Sequence, residues 1–128
     1  MAKMTVYVDT HVLVWVGRGE ADKISAAARR ALDDGDLLVS AATVLEFEFL
    51  HEVGRLQASA AKMMALLESE IALRVCDLPF RDVVNQALKE SWTRDPFDRL
   101  IVANAKASGA PLVTKDERIR KHYRGAIW

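Results

Sequence analysis

The sequence holds a single cysteine, no long apolar run and no signal peptide, and each absence excludes a class of protein. Because Cys76 is alone among 128 residues, the chain forms no intrachain disulfide and no cysteine-based zinc site. No apolar stretch is long enough to span a bilayer, and Met1 to Met4 lack a signal peptide's apolar region and cleavage site. We therefore expect a cytoplasmic protein that does not associate with membranes.

An excess of charge and the common nucleotide-binding and zinc motifs are also absent. The 18 Lys plus Arg balance the 18 Asp plus Glu, so the whole-chain charge gives no sign of nucleic-acid binding. The chain lacks a phosphate-binding P-loop, and its three histidines are too scattered for a zinc-binding helix. Any nucleic-acid site must come from local charge. The segment 115–124 holds five Lys or Arg, although a solvated helix would explain that segment equally well.

Short apolar, β-branched runs alternate with helical patterns, which predicts one α/β domain over residues 1–128. Strands are predicted at 5–8, 37–39, 73–76 and 111–114, with a short edge strand at 126–128. Helices are predicted at 10–16, 25–33, 40–53, 80–90 and 116–122, with two more that begin near residues 59 and 95. Their predicted N-caps include Ser25, Ser40, Ser59 and Asp95. This order predicts a mainly parallel sheet of four to five strands between two layers of helices.

Acidic residues follow the predicted strands, near the edge where such sheets bind ligands. Asp9 directly follows the first strand, Asp116 lies just beyond the fourth, and Glu46 lies on the helix after the second. Asp95 and Asp98 occupy the first turn of a later helix. Carboxylates gathered at one site repel one another, so protons or a cation must join them. Oxygen ligands favour Mg2+, Mn2+ or Ca2+ over zinc, and such ions support phosphodiester hydrolysis.

Each of these acids also has a structural interpretation. Asp9, Asp95 and Asp116 could cap helices, Asp98 could be the reciprocal acid of a capping box, and Glu46 could be a surface residue. Acids are favoured at helix starts in any case, because they interact well with the helix dipole. Spacing alone therefore leaves the functional and the structural interpretations about equally supported.

Four segments, in order and along nearly the whole chain, resemble the motifs of VapC-type toxins of the PIN-domain family. They are VYVDTH at 6–11, SAATVLE at 40–46, RDPFDRLIVA at 94–103 and LVTKD at 112–116. The third segment is the most specific of the four. The resemblance implies a PIN fold with a catalytic Mg2+ or Mn2+ site built by four acids, which are Asp9, Glu46, Asp98 and Asp116. It selects Asp98 rather than Asp95 as the catalytic acid, with Asp95 as a helix cap and Thr114 as a supporting hydrogen-bonding residue.

The activity that the resemblance implies is that of an endoribonuclease toxin which cleaves tRNA or ribosomal RNA. The expected partners are the RNA substrate, a VapB-type antitoxin that blocks the active site, and a second copy of the chain in a homodimer that forms a larger toxin–antitoxin assembly. One departure is visible after Glu46, where Phe47 to Leu50 lack a lysine that many relatives carry. Any RNA or partner contact made by that lysine is therefore not expected here.

Four further side chains are candidates for RNA contact. Arg94, Arg99 and Lys115 could donate to phosphates, and Trp92 could stack on a base. The structural alternatives are ion pairs of the arginines with Asp95 or Asp98, and a core or lid position for the tryptophan. His11 lies close to Asp9 in sequence, but a packing or exposed role is the stronger expectation for it.

Three other functional classes fit parts of the pattern. A non-catalytic PIN-like RNA-binding module would use the same pocket, but the intact set of four acids argues against it. A structure-specific DNA nuclease would share the metal chemistry, and the small size of the chain favours a toxin instead. A receiver domain needs paired acids after its first strand, whereas Asp9 stands alone.

Overall fold

A five-stranded parallel sheet forms the centre of the protein in the computed structural model, which describes residues 3–128. The strands are β1 (Thr5–Val8), β2 (Asp36–Val39), β3 (Arg74–Val75), β4 (Leu112–Val113) and β5 (Ala126–Ile127). The α-helices are α1 (Thr10–Gly17), α2 (Ala26–Asp34), α3 (Ala41–Glu52), α4 (Ala60–Ile71), α5 (Phe80–Ala87), α6 (Pro96–Ala107) and α7 (Glu117–His122). The strand order is β3-β2-β1-β4-β5, and each neighbouring pair is parallel. The predicted α/β class and parallel sheet are confirmed.

Helices cover both faces of the sheet because successive residues of a strand point to opposite sides. Val6 and Val8 of β1 pack with α1 to α4 on one face. Tyr7, between them, packs with α6 and α7 on the other, and α5 packs in turn on α6. The three-layer arrangement is confirmed. The apolar residues of α4 lie mainly in the core, with Leu67 fully buried.

The predicted helix starts are confirmed by their caps. The hydroxyls of Ser25, Ser40 and Ser59 accept hydrogen bonds from the first turns of α2, α3 and α4. Gly54 follows α3 with a φ of 79°, a left-handed conformation that favours glycine.

Several predicted boundaries are wrong. β4 and β5 span Leu112–Val113 and Ala126–Ile127 rather than residues 111–114 and 126–128. β3 is shorter than residues 73–76, because Ala72 ends α4 in a left-handed conformation and the backbone N–H of Leu73 still bonds back to Leu67. α5 ends at Ala87 rather than at Glu90, because the chain turns there and buries the side chain of Glu90.

Cys76 is a half-buried residue rather than a simple core residue. Its Sγ accepts hydrogen bonds from the Tyr7 hydroxyl at 2.9 Å and from the Asn104 amide at 3.1 Å. No helix within residues 3–128 is long and apolar enough to cross a membrane. The expectations about a signal peptide and about the first residues of the domain fall partly on Met1 and Ala2, which lie outside the described residues.

Candidate active site

An acid-lined cavity of about 520 Å3 opens beside the carboxyl ends of β1 and β4. Its lining residues are Asp9, His11, Trp15, Glu46, Asp95, Asp98, Lys115, Asp116 and Glu117. The structure therefore brings together the four acids that the sequence predicts as catalytic. Their roles in catalysis and metal binding remain a prediction at this point.

Asp9 lies at the end of the central strand and is held at both carboxylate oxygens. Oδ1 accepts the backbone N–H of Thr10 at 2.8 Å, and Oδ2 accepts the hydroxyl of Thr114 at 2.7 Å. Asp9 thus caps α1, as the structural interpretation predicts, and lines the cavity as well. Burial raises the pKa of Asp9, although the bonds from Thr114 and Thr10 lower it in part.

Thr114 connects the acids that follow β1 and β4. Its Oγ1 donates to Asp9 and accepts the backbone N–H of Asp116 at 3.1 Å. Asp116 in turn caps α7, because its Oδ1 accepts the N–H of Ile119 at 2.9 Å. The fully buried Thr114 hydroxyl therefore sets the position of two cavity acids at once.

Two acids at the start of α6 line the cavity, and only Asp95 also caps the helix. Oδ1 of Asp95 accepts the N–H groups of Phe97 at 2.8 Å and of Asp98 at 3.3 Å, as predicted. The capping-box interpretation of Asp98 is wrong, because the N–H of Asp95 donates to Thr93 instead. Asp98 is half-buried, and burial together with the charge of Asp95 raises its pKa to about 7. The charges of Asp9, Asp116 and Glu46 contribute to the same rise.

Glu46 is half-buried on α3 rather than a surface residue. Burial raises its pKa, and the nearby charge of Asp9 adds to that rise. Two buried hydrogen bonds fix α3 beside the cavity. The Ser40 hydroxyl donates to Oδ1 of Asn104 on α6 at 2.6 Å, and the Thr10 hydroxyl of α1 donates to that of Thr43 at 3.1 Å.

The cavity has the donor chemistry of a hard divalent cation. Its potential ligands are carboxylate oxygens, which Mg2+ and Mn2+ prefer. Burial raises the pKa of Asp9, Glu46 and Asp98, and the charges of neighbouring acids add to the rise. Within the described part of the chain, no three acidic, histidine or cysteine side chains lie close enough to hold one ion as they stand. The residues therefore fit such a cation in kind, and side-chain rotation would have to bring them together.

Of the predicted RNA-contacting residues, Lys115 is the one that lines the cavity. Arg94 donates to the carbonyl oxygen of Ser91 at 2.8 Å, and Arg99 donates to that of Glu90 at 2.9 Å. The alternative interpretation, ion pairs of these arginines with Asp95 or Asp98, is not what the structure shows.

Trp92 lies outside the cavity wall. Its ring stacks on His122 with 5.0 Å between centroids, and its Nε1–H donates to Glu90 at 3.1 Å. Arg94, Arg99 and Trp92 are all absent from the cavity lining.

Sequence reasoning missed two cavity residues, Trp15 and Glu117, and undervalued His11. Trp15 and His11 lie four residues apart, which places both on one side of α1. That spacing could have predicted that Trp15 lies beside the site, but the run Val12 to Val16 is apolar enough to suggest that Trp15 is buried. The segment after Glu46, which lacks the lysine of many relatives, has a structural role. Within it, Glu48 accepts the N–H of Ala60 at 3.0 Å, at the start of α4.

A parallel α/β sheet with an acid-lined cavity at its carboxyl edge is the arrangement that the PIN-domain resemblance implies. The PIN domain family model matches residues 6–125, and the chain belongs to the PIN-domain family.

Among its relatives is ribonuclease VapC22 of Mycobacterium tuberculosis, which is 36% identical over 120 residues, or 92% of each chain. The fold resembles that in VapBC2 of Rickettsia felis bound to a promoter DNA fragment, with a TM-score of 0.65, 14% identity and 92% of each chain covered. It also resembles a toxin–antitoxin complex from Klebsiella pneumoniae, with a TM-score of 0.63, 17% identity and 96% of each chain covered.

Proposed function

We propose that this chain is a metal-dependent endoribonuclease of the VapC type, the toxin of a toxin–antitoxin pair. The observation that carries the proposal is the convergence of Asp9, Glu46, Asp98 and Asp116 on one cavity of a PIN fold. A relative named as a ribonuclease, 36% identical over almost the whole chain, supports RNA as the substrate. By the resemblance, tRNA and ribosomal RNA are the expected targets.

The four acids have distinct proposed roles. Asp9, Glu46 and Asp98 hold Mg2+ or Mn2+, and Asp116 assists directly or through a water. When bound, such an ion supplies a Lewis acid for the scissile phosphate and lowers the pKa of the attacking water. Thr114 fixes the carboxylate of Asp9, which leaves that ligand little freedom to turn away.

Asp98 couples cation binding to protonation. Because its pKa is about 7, part of the population holds a proton on this carboxyl near neutral pH. Asp98 would have to be ionised to hold a cation, so it would release this proton to solvent on binding one. The acids are thereby kept from full mutual repulsion in the free protein and become available when the cation is present.

Contact with the RNA backbone requires positive charge beside these acids. Lys115 is the lysine of the cavity wall, and we assign it a phosphate contact. Arg94 is exposed just before α6 and extends the same role beyond the cavity. Arg99 and Trp92 are both bonded to Glu90, which favours a structural role for them over RNA contact.

The expected protein partners are a VapB-type antitoxin and a second copy of the chain, in the cytoplasm. The similar folds come from structures named as VapBC and toxin–antitoxin complexes. An exposed apolar stripe on α3 supports protein contact, since Leu45, Phe49 and Val53 are 65%, 49% and 51% exposed at a spacing of four residues.

The test is cleavage of total cellular RNA by the purified, antitoxin-free protein. The reactions contain Mg2+, Mn2+ or EDTA, and the variants are Asp9→Asn and, as a matched control, the exposed Asp77→Asn. Discrete cuts that require metal, persist in the control and vanish in Asp9→Asn would support the proposal.

Other outcomes would overturn it. RNA binding without cleavage under every metal condition would indicate a non-catalytic binding module. Metal-dependent cutting of branched DNA but not of RNA would indicate a structure-specific DNA nuclease. Cleavage that survives in Asp9→Asn would place the active site elsewhere or indicate contamination.

A further inference from the structure

The wall of the acidic cavity contains an indole ring as well as carboxylates. Among the cavity-lining residues of the described chain, Trp15 is the single tryptophan. It lies on α1, one turn beyond His11, and Asp9 is the N-cap of this helix. A ligand bound at the Asp9 carboxylate therefore occupies a cavity whose wall includes this ring.

Packing explains one side of Trp15 but not the whole residue. The indole contacts Trp128 with 6.0 Å between ring centroids and packs against the core. It is nevertheless half-buried and borders the cavity. The ammonium of Lys115 lies over its ring, 5.7 Å from the centroid. This face of the indole is therefore covered by an exposed, flexible side chain rather than by the protein core.

The electrostatics of the cavity favour an uncharged mode of RNA contact. Six of its nine lining residues are acidic, and Lys115 is the one lysine or arginine among them. Carboxylates repel the phosphates of an RNA strand, so backbone contacts alone give weak binding there. Stacking of a base on an aromatic ring avoids that repulsion, and every base has a face that can stack.

We propose that Trp15 is the stacking surface for an unpaired base of the substrate, with Lys115 moving from the ring to the adjoining phosphate. The substrate is then a single-stranded or looped RNA segment, because a paired base has its faces covered by its neighbours. This inference rests on the proposed ribonuclease function and deepens it by naming the side chain that contacts a base.

Fluorescence can report on Trp15 alone. The chain has three tryptophans, so replacing Trp92 and Trp128 with Phe leaves Trp15 as the emitter. Asp98→Asn is added to prevent cleavage. This protein is titrated with a short, dye-labelled RNA without self-structure, and with the same RNA annealed to its complement, while anisotropy of the dye reports binding independently. We expect saturable quenching of Trp15 by the single strand and little by the duplex.

Affinity and turnover separate stacking from packing. In the otherwise unmodified chain, Trp15→Leu should raise Kd and KM about tenfold, the lower part of the range for loss of one base stack. Trp15→Phe should restore most of the affinity, and kcat at saturating RNA should be nearly unchanged. Trp128→Phe, next to Trp15 but outside the cavity lining, is the matched control and should leave Kd unchanged. Thermal denaturation of each variant measures its folding.

Three results would overturn the inference in distinguishable ways. RNA binding by anisotropy without quenching of Trp15 would exclude the stacking site while the nuclease proposal stands. A Trp15→Leu variant with lower thermal stability and unchanged Kd would assign Trp15 to packing alone. Absence of any RNA binding or cleavage by the unmodified chain would overturn the ribonuclease proposal and this inference together.

Discussion

Carboxylates occur in two contrasting environments in this fold. Glu90, in the loop after α5, is only 2% exposed, and the ammonium of Lys106 lies 2.7 Å from its Oε1 and 3.0 Å from its Oε2. Trp92 adds a further hydrogen bond to it. Burial alone would raise the pKa of Glu90, but these partners lower it overall. Burial also raises the pKa of Asp98 in the cavity, but its charged neighbours are other acids, and the value rises to about 7.

The difference shows that pairing, rather than burial, separates the structural acid from the candidate functional ones. The charge of Glu90 is compensated within the fold, because the Lys106 ammonium and neutral hydrogen-bond donors contact its carboxylate. Asp98 is not compensated in this way, since the charged neighbours that affect its pKa are all acids. Such unsatisfied charge is retained where a ligand supplies the missing partner.

The largest expected effect is at Asp98. We expect Asp98→Asn to reduce RNA cleavage on the order of a thousandfold, because a ligand of the cation is lost. The same change should raise the melting temperature in chelator, because it removes a repelled charge. Single-turnover cleavage and thermal denaturation measure the two effects, with Asp77→Asn as the control. An Asp98→Asn variant that loses stability as well as activity would contradict the contrast drawn between Asp98 and Glu90.

The same change of charge at Glu90 should have the opposite effect on stability. Glu90→Gln leaves the ammonium of Lys106 without its counter-charge, which should lower the free energy of unfolding by about 2 kcal/mol. Cleavage should change far less than in Asp98→Asn. Urea denaturation of this variant, of Lys106→Gln and of the double variant measures the coupling. Strictly additive losses would show that the pair does not act as a unit.

Thr114 provides a smaller test of the cavity. Thr114→Val removes the hydroxyl that orients Asp9, so we expect cation affinity to fall by at least about tenfold. Thr114→Ser keeps the hydroxyl and should retain most of the affinity. Calorimetric titration with Mn2+ compares the two variants directly. Equal affinities would mean that Thr114 supports packing alone.

The smallest effect is expected at Glu48, an acid that lies outside both groups. Its carboxylate accepts one hydrogen bond at the N-terminus of α4, so Glu48→Gln should cost about 0.5 kcal/mol and leave cleavage unchanged. Glu68→Gln, at an exposed position on α4, is the control for general surface charge. A large loss of cleavage in Glu48→Gln alone would extend the functional site to this part of α3.

Local signals were sufficient for most of the fold and for the acids of the site. Each serine cap is a contact within one helix turn, and alternation along β1 is read from adjacent residues. Asp9 and Asp116 follow strands that the sequence identifies, so the parallel topology brings them to one edge. Their cap roles and cavity positions are compatible, because one carboxylate can cap a helix and still border the cavity.

What the sequence did not predict depends on contacts between distant residues. α5 ends early where Glu90 meets Lys106, sixteen residues further along the chain. Trp92 was considered for base stacking, but His122 occupies its ring. Trp15 reads as an ordinary core residue within an apolar run, and its position in the cavity wall follows from the packing of α1 against the loop that carries Lys115.

The most direct test of the central claim is the pH dependence of unfolding in chelator for the unmodified chain, Asp98→Asn and Glu90→Gln. Asp98 has an ordinary pKa of 3.8 when unfolded and about 7 when folded, so the folded state binds its proton more tightly. Its stabilising contribution is therefore complete below the lower value and is lost as the pH rises towards 7. We predict that the unmodified chain loses stability over this interval and that Asp98→Asn loses clearly less. Mg2+ should restore the loss in the unmodified chain and in Glu90→Gln, which keeps the cavity acids, but not in Asp98→Asn. Identical pH profiles for the unmodified chain and Asp98→Asn, with no effect of Mg2+, would contradict the claim that the cavity acids await a cation.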